Sequence, residues 1–136
     1  MVIFDLFKRK KKACSTEMSE ENKRWNRMWE LWSDGEIESP INELMTYSAE
    51  VNNGGHGQYF DNTSNNGETG AEMSALNEIL PCVLKANLNN AYKSHLMLEQ
   101  DETNTEAEDA LKKCDSVFFE NEKLINDILY DFSTRL

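Results

Sequence analysis

Apolar residues along this chain recur three and four positions apart, and no stretch alternates in the way a half-buried strand would. Trp25, Met28, Trp29 and Trp32 fall on one face of a 3.6-residue repeat, predicting a helix over about 18–33 whose other side carries Lys23, Arg24 and Arg27. At this spacing the tryptophans read as core rather than as a recognition stripe, and Asp34-Gly35 ends the helix. Ser39-Pro40 is a start signal for a helix over about 40–52, with Ile41, Leu44, Ser48 and Val51 on one face. Thr69 with Glu72 reads as a capping box for a pattern through Met73, Leu76, Ile79-Leu80, Val83-Leu84, Leu88 and Ala91 to about residue 97. Pro81 lacks the amide donor and crowds the preceding turn, so this pattern should break near 80. Thr105 with Glu108 opens a short helix to about 113. Asp115 then caps a last helix with Phe118, Ile125, Leu129, Phe132 and Leu136 on its apolar face. The expected fold is all-α, a single compact domain of five to six helices over 17–136 behind a short extension at 1–16. Its core should hold Trp25, Trp29, Trp32, Leu44, Val51, Tyr59, Phe60, Leu76, Leu84, Leu88, Phe118, Ile125 and Leu129.

The run from Glu50 to Asn62 departs from this regularity. Asn52, Asn53, Gly54 and Gly55 stop the helix that runs into Val51, because both residue types tolerate a left-handed backbone. Gln58, Tyr59 and Phe60 follow in a short helical turn over 56–61 that turns the aromatic pair inward. Asn62 should bond backbone groups in the loop that runs to Gly70. The motif is therefore read as architectural.

The same run resembles the signature of a family of small bacterial domains called DNA-mimic-protein-like. The matching pattern is Glu-Val-Asn-Asn-Gly-Gly, two residues, then Tyr59-Phe60-Asp61-Asn62. Ala75-Leu76, Leu88 to Ala91-Tyr92, and Asp115 with Phe118-Phe119 match in order, so the resemblance covers roughly 40–132. His56 stands where the family usually has Phe, and Glu78-Ile79-Leu80-Pro81 where many members have a Gly-Ala pair. The resemblance implies an all-helical domain without catalytic residues. It also raises a role known for few members, imitation of DNA to a DNA-binding partner.

Charge sharpens that idea. The net charge of −11 is unevenly spread: residues 1–12 hold five basic residues and one acid, leaving nine basic and twenty-four acidic residues in the rest. So acidic a body repels phosphates, and no direct nucleic-acid binding is expected of it. Residues 101–131 hold ten acids against three lysines. Asp101, Glu102, Glu106, Glu108 and Asp109 come with no base between them. Glu120, Asp127 and Asp131 share a helix face, roughly 10 Å and 6 Å apart along the axis. Double-stranded DNA carries one charge per about 1.7 Å of axis, so this segment approaches the one-sided field a mimic requires. A solvated outer face is the plainer reading of the same residues. The expected partner is a basic DNA-binding protein.

Val2, Ile3, Phe4, Leu6 and Phe7 precede the basic run, the reverse of a secretory signal. With the lysines they could rest on an anionic membrane, so contact through residues 2–12 is an alternative role. Cys14, Cys82 and Cys114 make neither a close pair nor a metal spacing. They point to reduced thiols and a cytoplasmic protein. Cys82 and Cys114, beside apolar residues, read as buried structural thiols. His56 and His95 lack ligand-spaced partners, and the Gly54-Gly55-His56-Gly57 loop lacks the Lys-Ser/Thr of a phosphate loop, so no metal, cofactor or catalytic group is assigned. An enzyme would instead need a deep pocket around His56, Gln58 and Asp61.

Overall fold

The computed structural model describes residues 18–136. The extension over 1–16, the membrane contact expected of 2–12, and Cys14 lie outside the described residues. Those residues form five helices and no strand: α1 (Glu20–Ser33), α2 (Ile41–Asn65), α3 (Thr69–Ile79), α4 (Cys82–Gln100) and α5 (Thr105–Ser133). The all-α expectation holds, and none of these helices is long and apolar enough to cross a membrane. The chain divides into two units, one of Glu38–Asp127 and one of the residues up to Ile37 together with Ile128–Leu136.

In the smaller unit Ser19 caps α1 by accepting from Asn22 N at 3.1 Å, and Asp34 with Gly35 (φ +75°) ends it. Met28 is fully buried, but Trp25, Trp29 and Trp32 are only half-buried, which corrects their place in the expected core. The indoles instead pack edge-to-face on one another, with centroids 6.4 Å and 5.4 Å apart.

In the larger unit Leu44, Val51, Tyr59, Phe60, Leu76, Leu84, Leu88, Phe118 and Ile125 are buried as expected. α2 packs mainly on α3, and Pro81 separates α3 from α4 where the sequence placed the break. Four helix ends differ from expectation. The cap position before α2 is Pro40 rather than Ser39, and no side chain caps it. Thr69 lies inside α3, whose cap position is Glu68, and Glu72 turns into the core rather than back to the cap. Asn104, not Thr105, caps α5, accepting from Ala107 N at 3.1 Å. Most consequentially, α5 runs unbroken from Thr105 to Ser133, so Asp115 lies mid-helix and caps nothing in its own element. Local pattern favoured two helices there; the continuous apolar face of Ala107, Cys114, Phe118 and Ile125 carries the helix through.

The glycine motif kinks α2 rather than ending it. Gly54 (φ −154°, ψ 17°) and Gly55 (φ 77°, ψ −176°) leave helical geometry, and the chain re-enters a helix that continues through Asn65. Residues 62–65 are therefore helical, not loop, and Asn62 bonds Glu50 instead of the backbone. Two causes fix glycine at 55. Its φ is left-handed, and a Cβ there would lie 2.5 Å from Asp115 Oδ2. At Gly57 an added Cβ would meet only Leu111 Cδ2, at an ordinary 3.7 Å. Gly55→Val should therefore destabilise the protein by more than about 1 kcal/mol, whereas Gly57→Ala should leave stability unchanged or raise it by up to about 1 kcal/mol. Chemical denaturation of both variants checks this, and a Gly55→Val protein of unchanged stability would deny the kink its structural role.

Candidate functional site

Side chains around the kink satisfy one another. Asn53 Nδ2 donates to Gln58 Oε1 (3.3 Å), and Gln58 Nε2 donates to Glu50 Oε2 (3.0 Å), which also accepts from Asn62. Asn52 Nδ2 reaches both Ser48 O (2.8 Å) and Glu122 Oε2 on α5 (2.7 Å). His56 begins the second half of α2, and its backbone N–H donates to Asp115 Oδ1 at 2.8 Å. Asp115 thus serves as an N-cap supplied by another helix. The same oxygen lies 2.6 Å from His56 Nδ1, and Nε2 lies 2.6 Å from the Tyr47 hydroxyl. Burial alone would raise the Asp115 carboxyl, but its bonds from the His56 ring and backbone hold it below the ordinary aspartate value. An ionised Asp115 only accepts, so Nδ1 carries the proton.

Tyr47, His56 and Asp115 form a hydrogen-bonded chain of the kind that activates nucleophiles, but its two rings are sealed and only Asp115 is partly exposed. Tyr47 and His56 have no exposed surface and are enclosed by Tyr59, Phe60 and Phe118. Burial, with Cys114 and Asp115 nearby, pushes the Tyr47 phenol far up. Burial first, then Asp115, also raises the Cys114 thiol, leaving it protonated and weakly nucleophilic. Cys114 is buried as expected, whereas Cys82, at the first turn of α4, is exposed. A cleft near the kink is lined by Gly57, Asp61, His95, Leu98, Glu99, Glu102, Glu108 and Leu111, and takes Asp61 but neither His56 nor Gln58. Among the described residues no three His, Cys, Asp or Glu side chains are grouped closely enough to hold a metal ion.

The eight carboxylates singled out from the sequence, Asp101, Glu102, Glu106, Glu108, Asp109, Glu120, Asp127 and Asp131, are all exposed. Glu108 pairs with Lys112 (3.3 Å), Asp127 with Lys123 (2.9 Å) and Asp131 with Arg135 (2.7 Å). Among the described residues Glu102, Glu106, Asp109 and Glu120 pair with no base. Asp101 has a second task. Its Oδ1 accepts from Thr103 N (3.0 Å) and Oγ1 (2.6 Å), bonds that lower its carboxyl and hold the turn between α4 and α5. The sequence indicated the surface acids but not His95 or the cleft, whose lining comes from three helices and the turn after α4. No protein-family model, curated protein or solved structure matches this chain.

One buried acid has a measurable consequence. Glu72 is 7% exposed and accepts from the Tyr59 hydroxyl at 2.7 Å. Burial, reinforced by Glu43 and Glu68 and opposed by the Tyr59 bond, moves its carboxyl up to about 7. Between its ordinary value and about 7 the folded protein keeps a proton that the unfolded chain releases, so stability falls as pH rises through that window. Glu72→Gln retains an acceptor for Tyr59 and should remove about 1–3 kcal/mol of that fall. Urea denaturation of both proteins at pH values on either side of the window tests this, and identical slopes would refute it.

Proposed function

We propose that this protein is a non-enzymatic interaction domain that presents its acidic surface to a basic, DNA-binding protein in place of DNA. The observation that supports this reading is the exposure of every carboxylate in the segment from Asp101 to Asp109, with only Glu108 paired to a lysine. Ordinary soluble surfaces intersperse both signs, and a large single-sign field is the arrangement that serves steering of a partner. Here the acids are left to act together. The resemblance of the glycine motif to the DNA-mimic-protein-like family points the same way. The full burial of Tyr47 and His56 does not favour the chain Tyr47–His56–Asp115 as an active site.

Association with such a partner should be steered by long-range attraction and slow steeply as salt rises, because screening shortens to about 8 Å at physiological ionic strength. Reversing Glu102, Glu106, Glu108 and Asp109 to lysine should leave the melting temperature within a few degrees, since all four are exposed. Asp101 is kept in that variant because it holds the turn. The variant should lose competition with DNA for the basic protein recovered by affinity capture from the native cell. Equal competition by wild type and variant, or binding indifferent to salt, would refute the reading.

A further inference from the structure

Glu72 has two places open to it, and the local sequence and the fold point to different ones. Thr69 and Glu72 have the spacing of a capping box, in which the glutamate stays in water beside the amides that open its own helix. The fold turns Glu72 inward instead, 7% exposed, to accept from the buried Tyr59 hydroxyl at 2.7 Å. The start of α3 is left without a side-chain cap, because Glu68 at the cap position makes no such bond. Unanswered amides at a helix start attract a carboxylate.

The inward place suits only the neutral acid. Tyr59 and Glu43 from α2 and Glu68 from the start of α3 act on Glu72. Among the described residues no lysine, arginine or histidine pairs with it. From α4 the uncharged Asn89 Nδ2 donates to Asn77 Oδ1 at 3.4 Å, more than a turn away. Glu43 is itself poorly answered. Asn42 Nδ2 gives its Oε2 a long bond of 3.4 Å, and its Oε1 is closed to solvent without a partner. Burial, and after it Glu43 and Glu68, oppose a charge on Glu72 and outweigh the Tyr59 bond, so the carboxyl stands at about 7. Neutral Glu72 keeps Tyr59 satisfied, whereas ionised Glu72 gains water and helix-start amides by leaving. α3 has only 11 residues and relies on packing against α2, so its first turn can follow the side chain.

We propose that Glu72 is a proton-operated latch between α2 and α3. Protonated, it stays in the core as the acceptor of Tyr59; ionised, it gives its proton to solvent and moves out beside the first turn of α3, releasing that turn from α2. The latch lies within the Glu38–Asp127 unit and does not depend on the acidic surface having a partner.

Stability falls with pH whether Glu72 ionises in place or leaves, so the contact itself is the readout. The full chain is followed by NMR about 1.5 pH units below and above the Glu72 midpoint. Below it, the Tyr59 ring and the Glu72 side chain should show a nuclear Overhauser contact. Above it that contact should vanish, the amide signals of residues 69–73 moving through one common midpoint while the helix content by circular dichroism holds. Glu72→Gln is neutral throughout and should keep the contact between position 72 and Tyr59 at both pH values, with those amide signals unmoved. Glu43→Gln removes the like charge and should lower the midpoint by roughly 1 pH unit, a test that stands even if Glu72→Gln folds poorly. Persistence of the wild-type contact above the midpoint would overturn the proposal, with Glu72 ionising in place. So would an unchanged midpoint in Glu43→Gln, or amide movement in Glu72→Gln equal to that of the wild type.

Discussion

The Asp115 carboxylate is the interaction on which the larger unit depends. α2 changes direction at Gly54-Gly55, and a helix that restarts inside a protein exposes amide groups that need acceptors. The chain around the kink offers none for His56 N, so the acceptor comes from the middle of α5, 59 residues away. A carboxylate there meets the positive end of the restarted helix as well as the single N–H, and bonds to charged groups contribute about 1.5–3 kcal/mol each. The same group fixes the His56 tautomer and fills the space a side chain at 55 would need. One residue thereby decides the kink, the glycine and the orientation of a buried imidazole.

Around that contact the core is unusually polar. Tyr47, His56, Tyr59, Glu72 and His95 are buried, the four rings packed on Phe60 or Phe118, and each polar ring or acid must find a partner where water cannot reach. Tyr47 meets His56, Tyr59 meets Glu72, and Asn87 Nδ2 crosses from α4 to Cys114 O on α5 at 2.8 Å. Such pairs are directional, so they select one packing of α2 against its neighbours where leucines would admit several. The cost is visible in Glu72, which keeps a proton far above the ordinary carboxyl range, with Glu43 Oε1 buried and unpaired.

The surface follows a different logic. Among the described residues Glu102, Glu106 and Asp109 pair with no base, whereas Glu108, Asp127 and Asp131 are answered by a lysine or an arginine one turn away. Exposed pairs of that kind contribute little to stability.

The sequence by itself determined the all-α class and the breaks at Asp34-Gly35 and Pro81, because hydrophobic spacing and these residues act within a few residues of where they stand. It also marked the exposed acids, since a run such as Glu106-Ala107-Glu108-Asp109 has no buried alternative for its charges. Only the tertiary structure decided what the motif was for. Glycine and asparagine announce a departure from the helix, but whether the chain stops or bends depends on an acceptor at Asp115. That acid's local context looked like a cap of its own helix. The three tryptophans were misplaced for a related reason: periodicity gives the face they occupy, while their depth depends on what covers that face. The cleft and His95 were invisible for the same cause, because their residues, spaced from 57 to 111, become neighbours only when three helices pack.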